Sequence, residues 1–201
     1  MENIKITLLG TSGVGKTCII RRYTEVIFDE NCQSTQLANY SQKVVEIDDK
    51  TLQVDIWDTA GQEKYRALGR NFYKDSYIVI LVYDITSYSS FTDLKENWYN
   101  DLKEYGERYT VLAVVGNKSD CYEEEQVKEE EAKEFADKIK AIFVLTSAKT
   151  GSNINYLFEK LLREYLGPEF SSKLIEINRD KGELVNVNKK TNSIKKKKRC
   201  C

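Results

Sequence analysis

The segment Gly10–Thr17 reads GTSGVGKT and follows a short apolar run, Ile4–Leu9. It matches the pattern G-x-x-x-x-G-K-[ST], in which a glycine-rich turn joins a strand to a helix. Such a turn can wrap round a phosphate chain with its amide hydrogens inward, and the helix N-terminus adds a positive dipole end. We therefore predict that Lys16 reaches the β- and γ-phosphates and that the Thr17 hydroxyl ligates Mg²⁺. The alternative is a glycine-rich turn without a ligand.

Strand-like and helix-like segments alternate along the chain. The runs Tyr77–Tyr83 and Val111–Val115 are nearly all apolar, which is typical of strands buried on both faces. The other predicted elements are a hairpin of Lys43–Ile47 and Leu52–Trp57, a strand at Ala141–Leu145, and helices near Ser89–Tyr105, Glu125–Lys138 and Ile154–Tyr165. This alternation predicts an α/β fold with a parallel sheet between two layers of helices.

Charge is distributed unevenly over the 201 residues. From Lys189 onward there are seven Lys and Arg and no acid, whereas the first 188 residues hold 24 bases against 32 acids. An acidic body with a basic tail argues against nucleic-acid binding and suits a tail that meets an anionic surface. The N-terminus lacks a signal-peptide pattern, and the cysteines have neither zinc nor disulfide-framework spacing, which indicates a reducing, cytosolic compartment. The chain has no histidine, which excludes a His-based triad or metal site.

A second motif, WDTAGQE, spans Trp57–Glu63 and follows an apolar strand. An acid at the end of a strand, facing a phosphate loop, can hold Mg²⁺, and Asp58 has that position. The Gly61 amide can donate to a γ-phosphate, and Gln62 could orient an attacking water. At this spacing after the first motif, the heptapeptide indicates nucleotide hydrolysis.

Two further motifs follow later strands and point to guanine. GNKSD spans Gly116–Asp120, and a carboxylate at Asp120 can accept two hydrogen bonds from the N1–H and N2–H₂ edge of guanine. Adenine lacks this donor pair, so Asp120 would select against it. Asn117 and Lys118 would hold the loop and flank the ring. TSAK, at Thr146–Lys149, could place the Ala148 amide on the guanine oxygen.

With these motifs in this order, residues 4–166 resemble a Ras-type small GTPase, and within that superfamily the Rab branch. LVYDIT at Leu81–Thr86 and QVDIW at Gln53–Trp57 are Rab-like details, as are two terminal cysteines behind a basic run. The resemblance implies the P-loop GTPase fold: six strands, one of them antiparallel, with about five helices on both faces. It also implies GTP and GDP binding with Mg²⁺, slow GTP hydrolysis, and regulation of vesicle traffic.

The resemblance assigns a role to each matching residue. Catalytic roles go to Gln62, Lys16 and Thr35, and Mg²⁺ ligation to Thr17, Thr35 and Asp58. Thr35 stands in the family's mobile loop, where loss of the γ-phosphate would release it. Phe28 matches the aromatic that packs on guanine, although it could be an ordinary loop residue. The implied nucleotide contacts are Ser12, Gly13, Val14, Gly15, Lys16, Thr17, Cys18, Phe28, Thr35, Gly61, Asn117, Lys118, Asp120, Ser147, Ala148 and Lys149.

The chain departs from the Rab pattern directly after Thr35. Rab proteins usually continue with Ile-Gly, two variable residues and Phe, whereas this chain has Gln36, Leu37, Ala38, Asn39 and Tyr40. The change concerns partner choice more than nucleotide chemistry. Tyr40, Trp57 and Phe72 match the family's partner-facing aromatic cluster, although they could be plain core residues.

We expect residues 1–166 to form the GTPase domain and residues 167–201 a flexible tail. The tail ends in KKKKRCC, and the resemblance implies that Cys200 and Cys201 are prenylated. A solvated basic end or a nuclear-localisation signal is the alternative. Implied partners are an exchange factor, a GTPase-activating protein, a GDP-dissociation inhibitor or prenylation escort, and effectors. The expected state is a monomer on the cytoplasmic face of an intracellular membrane, cycling with the cytosol. The run Tyr65–Ser76 favours an endosomal compartment.

Two competing functions remain at this point. One is a GTP-binding scaffold whose altered segment after Thr35 has lost switching, against which the intact Thr35, Asp58, Gly61 and Gln62 argue. The other is an ATP-dependent phosphotransferase, against which Asp120 argues.

Overall fold

A computed structural model describes residues 2–29, 35, 38–47, 50–59, 74–106, 108–109, 111–167, 175–178 and 183–186. The predicted sites at Gly61, Gln62, Phe72, Cys200 and Cys201 lie outside these residues, as do Gln36 and Leu37 of the unusual segment.

The fold is built on a six-stranded sheet, and a smaller sheet holds three further strands. The strands of both sheets, in chain order, are β1 (Glu2–Leu9), β2 (Ala38–Ile47), β3 (Lys50–Thr59), β4 (Ile78–Asp84), β5 (Arg108–Tyr109), β6 (Val111–Asn117), β7 (Ile142–Leu145), β8 (Ile175–Asn178) and β9 (Glu183–Asn186). The large sheet has the order β2-β3-β1-β4-β6-β7. Its β2 runs antiparallel to β3, and every other neighbouring pair is parallel. The predicted six-stranded sheet with one antiparallel strand is confirmed.

Helices cover both faces of this sheet. They are α1 (Lys16–Glu25), the composite α2 (Tyr88–Asp93, then a π-helical stretch Leu94–Trp98, then Tyr99–Tyr105), α3 (Glu129–Lys138) and α4 (Ile154–Leu166), with a 3₁₀ turn at Ser119–Glu124. The α-helical segments number five within the part of the chain that the structure describes, as predicted.

Helix α3 begins four residues later than its periodicity predicts. The amides of Gln126 and Val127 donate to the carbonyl of Ile85, at 2.9 and 3.1 Å. These bonds fasten the segment to the end of β4, and Lys128 has extended backbone angles (φ −63°, ψ 138°). Because the extended backbone at Lys128 is not helical, the helix begins only at Glu129.

The alternation of side chains along β4 divides the core in two. Ile78, Ile80 and Val82 pack in the cluster that contains α1 and α4 residues. Val79, Leu81 and Tyr83 pack in the cluster that contains α2 and α3 residues. Successive side chains of a strand point to opposite faces, so a wholly apolar run serves a sheet that is covered on both sides. Burial of each such side chain is worth about 1.5–3 kcal/mol.

Sheet topology brings the four motifs to one edge. The carboxyl ends of β1, β3, β4, β6 and β7 lie together because these strands are parallel. From β1, the sheet extends to β3 and β2 on one side and to β4, β6 and β7 on the other. The order of the strands thus reverses direction at β1. Open α/β sheets bind ligands outside the carboxyl ends of their strands at a point of this kind. The loop after β1 is Gly10–Gly15, the first motif.

Part of the predicted tail is described as strands. β8 pairs antiparallel with β5 and with β9, with Tyr109 opposite Ile175 and Ile175 opposite Asn186. The flexibility of residues 167–201 stays a prediction. Within the described residues, no helix combines the length and apolar character needed to cross a membrane.

Candidate nucleotide-binding site

The loop after β1 passes very close to two other parts of the chain. A Cβ atom on Gly10 would lie 2.2 Å from the carbonyl oxygen of Val82, and one on Gly15 would lie 2.3 Å from Asn117 Nδ2. The Asn117 amide also donates to the carbonyl of Val14 at 2.8 Å. Both glycines have positive φ, 147° and 94°, so side chains are disfavoured there by conformation as well as by space. This loop therefore has the backbone shape that its motif predicts.

Lys16 is held inside the loop. Its ammonium donates to the carbonyls of Gly10 and Thr11, at 2.6 and 3.0 Å, and its side chain is buried. Burial lowers the pKa of Lys16 to about 8, while the charge of Asp58 acts in the opposite direction. A buried ammonium is costly without a nearby anion, so the loop is poised to accept one.

Three oxygen-bearing side chains meet beside Lys16. The hydroxyls of Thr17 and Thr35 donate to Asp58 Oδ2 at 2.6 and 2.8 Å, and they lie 2.9 Å from each other. Asp58 is buried, and its Oδ1 has no hydrogen-bond partner among the described residues. Burial raises the pKa of Asp58, against the opposing effect of the two hydroxyls and of Lys16. Thr35, distant in sequence from Asp58, is thus fixed to it.

The chemistry of this cluster fits Mg²⁺. The ion prefers oxygen ligands and usually binds through one or two carboxylates together with phosphate oxygens and waters. One carboxylate with a free oxygen and two hydroxyls is such a partial set. No group of three or more His, Cys, Asp or Glu among the described residues could hold a metal without help. A ligand's phosphates would therefore have to complete the coordination.

Hydrogen bonds join the two guanine motifs. Asn117 Oδ1 accepts from the Thr146 hydroxyl at 3.2 Å and from the Ala148 amide at 3.3 Å. The Ser147 hydroxyl donates to Asp120 Oδ1 at 2.5 Å. Although burial opposes the shift, the hydrogen bond from Ser147 contributes most to lowering the pKa of Asp120. An ionised Asp120 is the acceptor that two N–H donors of guanine require.

Lys118 is fixed by a residue that the sequence analysis did not single out. Its ammonium lies 2.6 Å from Asp84 Oδ2, at the end of β4, and its backbone is left-handed, with φ 66°. Asp84 Oδ1 accepts from the amide and hydroxyl of Thr86. Asp84 lies within the LVYDIT run, which indicated a resemblance to Rab proteins but assigned no role to this carboxylate.

Arg22 was also missed, although it contacts both Phe28 and the TSAK segment at the guanine end. Its guanidinium donates to the carbonyls of Ala148 and Lys149, at 2.8 and 2.6 Å, and to that of Val26 at 3.2 Å. The guanidinium carbon lies 5.8 Å from the centroid of the Phe28 ring. From the sequence alone, a basic residue in the last turn of α1 is explained by its favourable interaction with the negative end of the helix dipole, so no contact with the guanine end was predicted.

One cavity of about 370 Å³ is lined by most of the predicted nucleotide contacts, whereas Asp58, Asp84 and Arg22 do not line it. The predicted contacts that line it are Ser12, Gly13, Gly15, Lys16, Thr17, Cys18, Phe28, Thr35, Asn117, Lys118, Asp120, Ala148 and Lys149. Val14 and Ser147 do not line it, because Val14 is buried against the core and Ser147 lies beneath Asp120. Three unpredicted residues, Asp29, Thr59 and Cys121, also line the cavity.

Two of the three predicted partner-facing aromatics lie within the described residues. Tyr40 and Trp57 make an edge-to-face contact with ring centroids 5.4 Å apart. Tyr40 is 49% exposed, and its hydroxyl donates to Asp55 Oδ1 at 2.7 Å. Tyr40 is therefore a surface residue, and the alternative that it belongs to the core is not supported.

A phosphate loop, an oxygen cluster for Mg²⁺ and a guanine-type acceptor at one sheet edge define a P-loop GTPase. Residues 5–167 match the Ras family. The chain is 44% identical to Ras-related protein Rab-22A of Homo sapiens over 163 residues, which is 81% of this chain and 84% of that protein. It is 36% identical to Rab-31 of Mus musculus over 203 residues (100% and 98%), and 39% identical to Rab5A of Oryza sativa subsp. japonica over 166 residues (83% and 81%).

The chain belongs to the Ras family, and these relatives are Rab proteins. It is a small GTPase that binds GTP and GDP with Mg²⁺, hydrolyses GTP and regulates vesicle traffic. These findings confirm the resemblance, and nothing in them favours a scaffold that has lost switching.

Arg22→Gln should release GDP about tenfold faster than the unmodified protein, since hydrogen bonds from a charged donor are worth about 1.5–3 kcal/mol. Stopped-flow release of a fluorescent GDP measures the rate. The matched control is Arg21→Gln, the neighbouring arginine, which pairs with Glu25 on the exposed side of α1 at 3.6 Å. Equal release rates for the two variants would contradict a role of Arg22 in holding the guanine end.

Proposed function

We propose that the chain switches through the oxygen cluster of Thr17, Thr35 and Asp58, which would hold Mg²⁺, with Thr35 also contacting the γ-phosphate. The observation that supports this proposal best is the unpartnered, buried Asp58 Oδ1 beside two hydroxyls on Oδ2. A buried carboxylate oxygen is costly unless a cation or donor meets it. Loss of the γ-phosphate would remove the ligand that keeps Thr35 in place.

Catalysis in this proposal rests on positioning and on charge neutralisation. Lys16 would meet the charge that develops on the β- and γ-phosphates, while Gln62 and the Thr35 carbonyl would orient the attacking water. Bound Mg²⁺ supplies further neutralisation of phosphate charge. None of the motifs identifies a built-in arginine finger. Intrinsic turnover would be slow, and an Arg from an activating protein can add roughly 10³–10⁵ in rate.

Gln62→Leu tests the catalytic part of the proposal. The variant keeps the size of the side chain and removes the groups that would orient water, so single-turnover GTP hydrolysis should slow by at least about tenfold. GDP affinity, measured in parallel, should stay unchanged, because Gln62 is not among the proposed contacts of GDP. Hydrolysis at the unmodified rate would remove Gln62 from the mechanism.

Guanine recognition is assigned to the opposite end of the cavity. Phe28 would pack on the ring, Asp120 would accept from its N1–H and N2–H₂ edge, and Ala148 would donate to its oxygen. The remaining phosphate contacts proposed are the backbone of Ser12 to Cys18 and the Gly61 amide. Two hydrogen bonds support this assignment: the Ser147 hydroxyl donates to Asp120 and fixes this acceptor, and the Ala148 amide donates to Asn117, which joins the two motifs.

For partners, we propose one nucleotide cycle run by four kinds of protein. An exchange factor loads GTP, an activating protein stimulates hydrolysis, an inhibitor or prenylation escort extracts the GDP form, and effectors read the GTP form. Effectors would meet the surface of Tyr40, Trp57 and Phe72, and the neighbouring segment 36–39 would set which effector binds. The exposure of Tyr40 supports this surface. The protein itself would act as a monomer.

The tail is proposed to anchor the GTPase domain of residues 1–166 to a membrane. Prenyl chains on Cys200 and Cys201 would give stable anchoring, where one chain would be marginal. Each Lys or Arg of the preceding basic run adds about 1 kcal/mol at an anionic leaflet. The run Tyr65–Ser76 and the similarity to Rab-22A, Rab-31 and Rab5A favour the cytoplasmic face of endosomes.

Removal of Cys200 and Cys201 should move the protein from membranes to the soluble fraction of cells. Without prenyl chains only the basic run contacts the membrane, and this contact is too weak to keep the protein there. Fractionation followed by immunoblotting measures the distribution. Cys32→Ser serves as the control for loss of a thiol elsewhere in the chain. Membrane association that persists at the unmodified level without the terminal pair would contradict the proposed anchor.

A further inference from the structure

The carboxylate of Asp93 in α2 accepts three side-chain hydrogen bonds. The Thr11 hydroxyl donates to Oδ2 at 2.6 Å, the Trp98 indole N–H to Oδ2 at 2.8 Å, and the Asn97 amide to Oδ1 at 2.5 Å. Asn97 and Trp98 belong to the same helix as Asp93, whereas Thr11 lies 82 residues away in the phosphate loop. This carboxylate therefore links α2 to the loop that surrounds Lys16.

A local irregularity in α2 makes this arrangement possible. In a regular α-helix, a residue five positions further on lies about 140° round the axis, too far to share a partner with Asn97. The stretch Leu94–Trp98 is π-helical, and the amide of Tyr99 donates to the carbonyl of Leu94. A turn widened in this way brings residues four and five positions apart onto the same side. Trp98 is 2% exposed, so the indole that holds Asp93 is itself fixed in the core.

The Thr11 end of the link belongs to a residue that itself contacts the lysine. The carbonyl of Thr11 accepts from Lys16 Nζ at 3.0 Å, and the carbonyl of Gly10 accepts from it at 2.6 Å. Thr11 and Asp93 also line a cavity of about 480 Å³ between the loop and the start of α2. The 2.6 Å hydrogen bond between Thr11 and Asp93 restrains the loop at this position.

We propose that Asp93 is a positioning residue for nucleotide binding: anchored by Trp98 and Asn97, it holds Thr11 and thereby the carbonyls that place Lys16. The proposal rests on phosphate binding by the loop and adds a residue to that site. Its effect is confined to the phosphate end, since Asp93 contacts neither guanine motif. Loss of the link leaves the loop free to adopt other conformations, and the nucleotide leaves faster.

Thr11→Val tests the link with little change in side-chain volume. Release of GDP and of a non-hydrolysable GTP analogue should both become about tenfold faster, the factor that corresponds to about 1.4 kcal/mol for a hydrogen bond to a charged acceptor. Thr11→Ser keeps the hydroxyl and should restore slow release. Thr92→Val, a loss of the same hydroxyl from the residue next to Asp93, is the matched control and should release nucleotide at the unmodified rate.

Asp93→Ala tests the other partner. It removes the oxygen that accepts from the Thr11 hydroxyl, so it should speed release to the same extent as Thr11→Val. The double variant should release no faster than either single variant, because both changes break one interaction. The phosphorus resonance of the bound β-phosphate should shift in Thr11→Val and return in Thr11→Ser.

A purely structural role for Asp93 gives a different pattern. Asp93→Ala would then lower the unfolding temperature, while Thr11→Val would release nucleotide at the unmodified rate with an unchanged phosphorus spectrum; that result would overturn the proposal. Additive effects of the two variants would overturn it as well. Failure of the unmodified protein to bind GDP would instead contradict the proposed nucleotide site.

Discussion

The buried carboxylate of Asp58 is the constraint around which the site is arranged. It lies one residue before the end of β3, accepts from the first turn of α1 through Thr17, and fixes Thr35 from the segment before β2. Its second oxygen has no partner among the described residues. Because a buried unpartnered carboxylate oxygen is costly, we propose that a cation completes the arrangement. Thr35 would thereby be placed where the state of the nucleotide can be sensed.

The rest of the site keeps the phosphate loop in shape around that cluster. On the inner side, Asn117 donates to the carbonyl of Val14 and approaches Gly15 too closely for any other residue. On the side that faces α2, Asp93 accepts a hydrogen bond from the Thr11 hydroxyl. Between these two supports, Lys16 is held by loop carbonyls and retains a charge that burial disfavours. The loop is thus largely preorganised for an anion, which reduces the ordering cost of binding.

The sequence predicts features that depend on local pattern, and it misses those that depend on distant contacts. The apolar run of β4 predicts a strand buried on both faces, and the motifs predict the order of the loops at the sheet edge. The start of α3 could not be predicted, since the residues before it are held by the distant carbonyl of Ile85 and Lys128 is extended. The roles of Arg22 and Asp93 were not predicted for the same reason: their partners Ala148 and Thr11 lie 126 and 82 residues away in the sequence. No spacing rule connects such positions, and the π-helical turn of α2 carries no pattern that periodicity detects.

Mg²⁺ affinity in Thr35→Ala tests the central claim most directly, namely that Thr35 ligates the cation only when the γ-phosphate is present. Titration of Mg²⁺ should be done with GDP bound and, separately, with a non-hydrolysable GTP analogue. The account predicts that the variant loses about tenfold in Mg²⁺ affinity with the analogue, as expected for one lost charged contact, and almost none with GDP. Equal losses in the two states, or no loss in either, would contradict it.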